Sequence, residues 1–144
     1  MYQFNFEDAW IFFAIHMASE PNQSTGLRSI IGAGDYINKA VIGHDEMNSA
    51  CKKFLYLKFI AQEGNKLKIT KCGEQFIESI HLNNIKVGHP CELADEIFKH
   101  LKCYKLKDIC DIECFTHSEF ALVQKQYTEE MQKLIKQILR DLKK

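Results

Sequence analysis

The sequence predicts a mainly α-helical fold with one small β-hairpin wing and a C-terminal helical extension. Apolar residues recur at helical spacing in most segments of the chain. Between Phe59 and Thr70 the period changes, and two short apolar segments flank a Gly-Asn turn, which indicates a β-hairpin. From Thr116 to Lys144 the chain contains neither proline nor glycine, so one long final helix is expected.

Composition limits the class of protein. A chain of 144 residues forms one domain, or one domain with a helical appendage. Its formal net charge is zero, so any nucleic-acid partner has to be recognised by local charge. Without an apolar run long enough for a membrane span or a signal peptide, we expect a cytoplasmic protein that does not enter a membrane. The six cysteines are then expected to be reduced thiols.

Two helices are predicted before the central part of the chain. The first runs from about Phe6 to Ala18 behind the N-cap Asn5. It is apolar almost all round, which indicates a central position or a face covered by a partner chain. The second runs from about Leu27 to Lys39 and begins after Ser24 or Thr25.

The third helix, residues 44–58, and the hairpin that follows it organise the chain. The apolar residues of this helix have helical spacing, and Gly43 is placed to be its N-cap, with Glu46 three residues on. Residues 59–70 then form the hairpin, with Gln62-Glu63-Gly64-Asn65 as its turn.

Further helices are predicted beyond the hairpin. A short helix covers about 74–82, a connector covers 83–89, and Pro90 fits the first turn of the next helix. Residues 103–115 are predicted to be irregular, with a short helical turn at 106–110.

The final helix, about 27 residues long from the Thr116–Glu119 capping box, spans roughly 40 Å. We expect it to pair with a second copy of the chain, because a helix of this length cannot pack fully on so small a domain. The alternative is that one face packs on its own domain and the tip frays. Its apolar stripe consists of Phe120, Val123, Tyr127, Met131, Leu134, Ile135, Ile138 and Leu142.

The hairpin carries a resemblance to a known fold. Phe59-Ile60, the Gly-containing turn and the segment from Leu67 to Gly73 resemble the wing of bacterial winged helix-turn-helix regulators. The resemblance covers roughly the first half of the chain. It implies a winged helix-turn-helix domain over residues 1–82 and a helical extension, for dimerisation, over residues 83–144. This layout is similar to that of PadR-type regulators, although the N-terminal motif usual in that family is missing and the wing is short.

The resemblance implies a function in DNA binding. In this fold the third helix and the wing contact double-stranded DNA, and between Lys52 and Lys71 six lysines accompany a single glutamate, which leaves a local charge of +5. The expected protein is a homodimeric transcriptional regulator. On the third helix, Asn48, Ser49 and Lys52 are candidates for base edges and Lys53 and Tyr56 for phosphates, and the wing adds Lys66 and Lys68.

Two alternatives to DNA binding remain open. Asp45 and Glu46 place two carboxylates on the helical turn that would enter the major groove. This favours a winged-helix protein-interaction module that does not bind DNA. The other alternative is an ordinary solvated helix face with surface lysines.

Metal binding and catalysis are not expected. His100, Cys103, Cys110, Cys114 and His117 are five potential soft-metal ligands within eighteen residues. Their spacing contains no Cys-x-x-Cys pair, so the cysteines are predicted to fill gaps in the core, with a zinc site or a redox response as the alternative. The motifs of a nucleophile elbow, a phosphate-binding loop and a zinc-protease helix are missing, so no enzyme and no cofactor are expected.

Overall fold

A computed structural model describes residues 2–86 and 88–144. The fold is mainly helical with small antiparallel sheets, as the sequence predicts. The helices are α1 (Phe6–Ala18), α2 (Leu27–Asn38), α3 (His44–Tyr56), α4 (Lys71–Ile80), α5 (Pro90–Leu101) and α6 (His117–Leu142), with a 3₁₀ turn at Leu82–Asn84. The strands are β1 (Tyr2–Gln3), β2 (Thr25–Gly26), β3 (Ile60–Glu63), β4 (Lys66–Ile69) and β5 (Lys105–Leu106).

Helix α1 lies at the centre of the domain. Asn5 and Asp8 cap its start reciprocally, since the Asn5 side chain accepts from the Asp8 amide at 3.0 Å and Asp8 accepts from the Asn5 amide at 2.9 Å. Every residue from Asp8 to Ile15 is buried, and the helix packs against α2, α3 and α5. The predicted bounds and the central position of this apolar helix are both confirmed.

The hairpin β3–β4 is confirmed and belongs to a larger sheet. Ile60 pairs with Ile69 and Glu63 with Lys66, and Gly64 has the positive φ of 61° that the tight turn requires. Strand β2 adds to the other edge of β4 and gives the order β2-β4-β3. A strand of two residues leaves no readable pattern, and α2 begins after its N-cap Gly26 rather than after Ser24 or Thr25.

Helix α4 begins against the base of the hairpin. The Thr70 side chain caps it by accepting from the Gly73 amide at 3.1 Å, so α4 starts earlier than predicted. A Cβ placed on Gly73 would lie 2.2 Å from the carbonyl oxygen of Phe59. Glycine is therefore required at this close approach of two backbones.

The second half of the chain joins the same core. Ala94, Ile97 and Leu101 of α5 belong to one buried cluster with α1. Strand β5 pairs with β1, and Leu106 lies opposite Tyr2. The helical turn predicted at 106–110 is wrong, because Leu106 belongs to this strand and the residues after it have no helical structure.

Helix α6 is packed on the domain near its start and exposed to solvent towards its end. Near its start Phe120 is buried and Tyr127 packs on α2, where the Tyr127 hydroxyl donates to Asp35 at 2.7 Å. Burial, together with this bond to a carboxylate, raises the pKa of Tyr127 to about 12. Arg28 of α2 and Glu130 form an ion pair one turn later. Past Met131 every residue is exposed, including the apolar side chains Leu134, Ile135, Ile138, Leu139 and Leu142.

None of the helices in residues 2–86 and 88–144 is both long enough and apolar enough to cross a membrane.

Candidate functional site

The outer face of α3 is partly covered by residues 107–115, which we call the cover segment. The contact centres on Asn48, whose side-chain oxygen accepts from the backbone amides of Cys114 at 2.7 Å and Phe115 at 3.0 Å. Its amide group donates to the Phe115 carbonyl at 3.2 Å. Gln62 of the hairpin donates to the Cys114 carbonyl at 2.8 Å. The cover segment is therefore held on both α3 and the hairpin.

Two predicted DNA-contacting residues are corrected by their burial. Asn48 is 6% exposed, and its amide is occupied by the cover segment. Lys53 is also 6% exposed, and its ammonium group lies 2.6 Å from the Asp8 carboxylate. A charged side chain is buried at this depth only when it is paired. Both side chains therefore serve the fold, and the expectation that they face a ligand is wrong.

The other predicted contact residues lie at or near the surface. Lys52 is half-buried and paired with Asp111 of the cover segment, and this hydrogen bond raises the pKa of Lys52 and lowers that of Asp111. Ser49 and Lys68 are half-buried, and Tyr56 and Lys66 are exposed. Of the predicted positions, these remain candidates for contacts with a partner.

A cleft of about 520 Å³ lies between α3, β1 and the cover segment. Its basic groups are already paired, Lys52 with Asp111 and Lys53 with Asp8. Asp45 and Glu113 add further carboxylates to its wall. The cleft is thus suited to a cationic group rather than to a phosphate. Its lining comprises Tyr2, His44, Asp45, Asn48, Ser49, Lys52, Lys53, Ile109, Asp111 and Glu113.

At one end of the cleft two histidines lie beside carboxylates. The rings of His44 and His117, the first residues of α3 and α6, have centroids 3.6 Å apart. His44 Nδ1 lies 3.1 Å from an Asp45 carboxylate oxygen, and His44 Nε2 lies 3.6 Å from a Glu113 oxygen. Burial lowers the pKa of His44, but the Phe115 carbonyl and the two carboxylates outweigh it, and the pKa is raised. The environment of His44 thus favours positive charge.

The cysteine and histidine residues singled out in the sequence do not gather. His100, Cys103 and Cys110 are exposed, whereas Cys114 is buried. The prediction that these cysteines fill gaps in the core is therefore wrong for Cys103 and Cys110 and confirmed for Cys114. Among residues 2–86 and 88–144, His117 is the one member of that set that joins a group of potential metal ligands, and its companions are His44 and Asp45.

Cys114 and the buried Cys51 of α3 shift each other's pKa. The neighbouring Cys114 thiol, together with burial, raises the pKa of Cys51, while the Cys51 thiol and the charge of Lys52 lower the pKa of Cys114.

Sequence reasoning missed His44 and the cover segment. Asn48 lies 66 residues before its partner Cys114, and His44 lies 71 residues before Phe115. No spacing rule connects residues so far apart. One signal was present, namely a run of carboxylates at Asp108, Asp111 and Glu113 in a chain with a lysine-rich third helix.

No protein-family model, curated protein or solved structure matches this chain. A function therefore has to be argued from the geometry of the molecule.

Proposed function

We propose that this chain is a winged-helix DNA-binding protein that acts as a homodimer, in the role of a transcriptional regulator. The observation that carries the proposal is the arrangement of α3 beside a lysine-bearing hairpin. The elements follow the order α1, β2, α2, α3 and β3–β4, and β2 pairs with β4. In a winged helix-turn-helix, the third helix and the hairpin contact DNA together.

The hairpin supplies the charge for phosphate contacts. Lys58, Lys66 and Lys71 at the ends of its strands are exposed, and Lys68 is half-buried. Its acidic residue Glu63 accepts a hydrogen bond from the Ser24 hydroxyl at 2.6 Å. Lysines grouped in this way attract a polyanion, and each phosphate contact makes binding more sensitive to salt.

The part of α3 that the cover segment leaves accessible is the candidate for base contacts. Asn48 and Lys53 are excluded by burial, which leaves Ser49 and Tyr56, with Lys52 at the edge of the cover segment. We expect the hairpin lysines to supply most of the affinity, because Ser49 and Tyr56 are neutral. Specificity then depends on few contacts.

The exposed end of α6 supports pairing with a second copy of the chain. Leu134, Ile135, Ile138, Leu139 and Leu142 are each about half or more exposed on consecutive turns, a patch that soluble monomers rarely leave uncovered. Residues 119–130 contain three acidic side chains and one lysine, whereas residues 133–144 contain five basic side chains and one aspartate. Antiparallel pairing would place opposite charges together, and two-fold symmetry would suit a palindromic site.

Salt-dependent binding of duplex DNA tests the proposal. The protein is titrated into genomic fragments, including its own promoter, at several salt concentrations. We expect Lys66→Ala with Lys68→Ala to weaken binding and to lower the slope of log affinity against log salt by about one per lost contact. The matched control is Lys99→Ala with Lys125→Ala, two lysines on α5 and α6. Equal effects of the two pairs, or no effect of either, would refute the proposed surface.

The cover segment favours a second candidate, a winged-helix protein-interaction module that does not bind DNA. Asp45, Asp111 and Glu113 lie around the part of α3 that would enter a major groove. These carboxylates repel phosphates and would suit a basic partner protein. Failure of the intact protein to bind any duplex at low salt would favour this candidate.

A further inference from the structure

We propose that His44, Asp45 and His117 form a binding site for a divalent transition-metal ion, and zinc is the ion that fits these donors best. One potential ligand atom from each residue lies within 4.8 Å of the other two. Two imidazole nitrogens and one carboxylate oxygen suit zinc and its first-row neighbours, whereas calcium and magnesium prefer oxygen ligands alone. The proposal is independent of DNA binding.

One edge of the coordination shell is already formed. With metal–ligand distances of about 2.1 Å, donor atoms around a tetrahedral ion lie about 3.4 Å apart. His44 Nδ1 and the Asp45 oxygen are 3.1 Å apart, close to this value. The third ligand, His117, is exposed, so its imidazole can turn towards the ion from its present position against the His44 ring. Water would complete the shell.

A second contact fixes the orientation of the His44 ring. Nε2 of His44 lies 2.8 Å from the Phe115 carbonyl oxygen and 2.9 Å from the Asn48 amide nitrogen. Because the Asn48 amide has the His44 and Phe115 carbonyls as acceptors, we assign a proton to Nε2 and its bond to Phe115. Nδ1 faces the Asp45 carboxylate at hydrogen-bond distance, and a metal ion bound there would displace the proton that joins the two groups. Metal-binding histidines in proteins characteristically donate their other ring nitrogen to a carbonyl or carboxylate in this way.

The carboxylates near His44 favour a cation, although the site lies at the N-terminal ends of two helices. Both histidines begin a helix, where the backbone carries partial positive charge that opposes a metal ion. The carboxylates of Asp45 and Glu113, both close to His44, offset this effect. A bound ion would connect the first residues of α3 and α6 and hold the end of the cover segment between them.

Metal titration of the full-length protein tests the site. After chelator treatment and dialysis, the protein is titrated with Zn²⁺ by calorimetry and with Co²⁺ by visible absorption. We expect one ion per chain and no thiolate-to-cobalt charge-transfer band, because the ligands are nitrogen and oxygen. His117→Ala should weaken binding at least about tenfold, since a ligand contributes no less than its supporting groups.

The variant and its control are matched in exposure. His117 is exposed and is not the helix cap, which is Thr116, so its replacement leaves the fold intact. His100→Ala removes an exposed histidine of α5 and should bind the ion like the wild type. Imidazole ¹H–¹⁵N spectra should show Zn²⁺ perturbing His44 Nδ1. The proposal is overturned if no saturable site of one ion per chain is found, if a thiolate band appears, or if His117→Ala binds as tightly as the wild type.

Discussion

The buried ion pair between Asp8 and Lys53 joins α1 to α3, and its removal should destabilise the protein strongly. The carboxylate and ammonium groups are 2.6 Å apart, and the two side chains are 2% and 8% exposed. Lys53→Met keeps much of the side-chain volume but leaves the Asp8 carboxylate buried without its partner. Breaking a buried pair from one side costs about 3–5 kcal/mol, a large part of the stability of an ordinary domain.

Chemical denaturation followed by circular dichroism measures this change. We expect the free energy of unfolding of Lys53→Met to fall by about 3–5 kcal/mol, and its melting temperature by roughly 10–17 °C. Lys52→Met is the matched control and should change stability far less, because its partner Asp111 is almost fully exposed. Replacing both members, with Asp8→Asn and Lys53→Met together, should recover much of the loss. A Lys53→Met protein within 1 kcal/mol of the wild type would refute the buried pair.

The effect should also depend on pH. Burial raises the pKa of Asp8, and hydrogen bonds from Lys53 and the Asn5 amide oppose that rise. Without Lys53 the folded-state pKa rises further above that of the unfolded chain. Stability from such a group is present below the unfolded pKa, about 3.9, and is lost as the pH rises through the folded pKa. The loss of unfolding free energy in Lys53→Met relative to the wild type should therefore be largest near neutral pH and shrink towards pH 4.

Three further changes test other parts of the structure. Asn48→Ala leaves two buried amides of the cover segment without an acceptor, at about 1–3 kcal/mol each, and should accelerate hydrogen exchange at both; unchanged exchange would contradict the contact. Gly73→Ala should destabilise by about 1–3 kcal/mol in thermal denaturation, because its Cβ meets a backbone oxygen, whereas Gly26→Ala has open space and should be tolerated. Ile138→Glu should convert a dimer into a monomer in sedimentation, while Gln137→Glu, which places the same charge about 100° round α6 from Ile138, should not; equal behaviour of the two would exclude pairing through the stripe.

Local features of the fold were predictable from the sequence. Helix α1 has the predicted bounds because Asn5 and Asp8, which cap its start, lie within three residues of each other. The hairpin follows from alternation and a Gly-Asn turn, and α6 from an uninterrupted run behind Thr116. In each case the interactions that define the element lie within a few residues of one another.

The candidate site was not predictable in the same way. Position 48 lies off the apolar stripe of α3, so helical spacing assigns Asn48 to solvent, yet residues of the distant cover segment bury it. Helical spacing likewise places Lys53 outside the apolar stripe, yet Lys53 is buried because it pairs with Asp8, which comes 45 residues earlier. Strands β2 and β5 are two residues long, too short for any period to be read.

The cover segment affects both candidate functions, DNA binding and protein binding, because it covers part of α3. Asn48 and Gln62 make four hydrogen bonds to its backbone, each contributing about 1 kcal/mol net. Release would also expose the buried Phe115 side chain, at about 1.5–3 kcal/mol, and would return part of the total as chain entropy, so opening costs several kcal/mol. If a partner needs the covered side of α3, its apparent affinity falls by the fraction of open molecules, about a hundredfold for 2.7 kcal/mol. Asn48→Ala lowers that cost, so it should tighten binding of DNA that enters the covered side and leave binding through the hairpin alone unchanged.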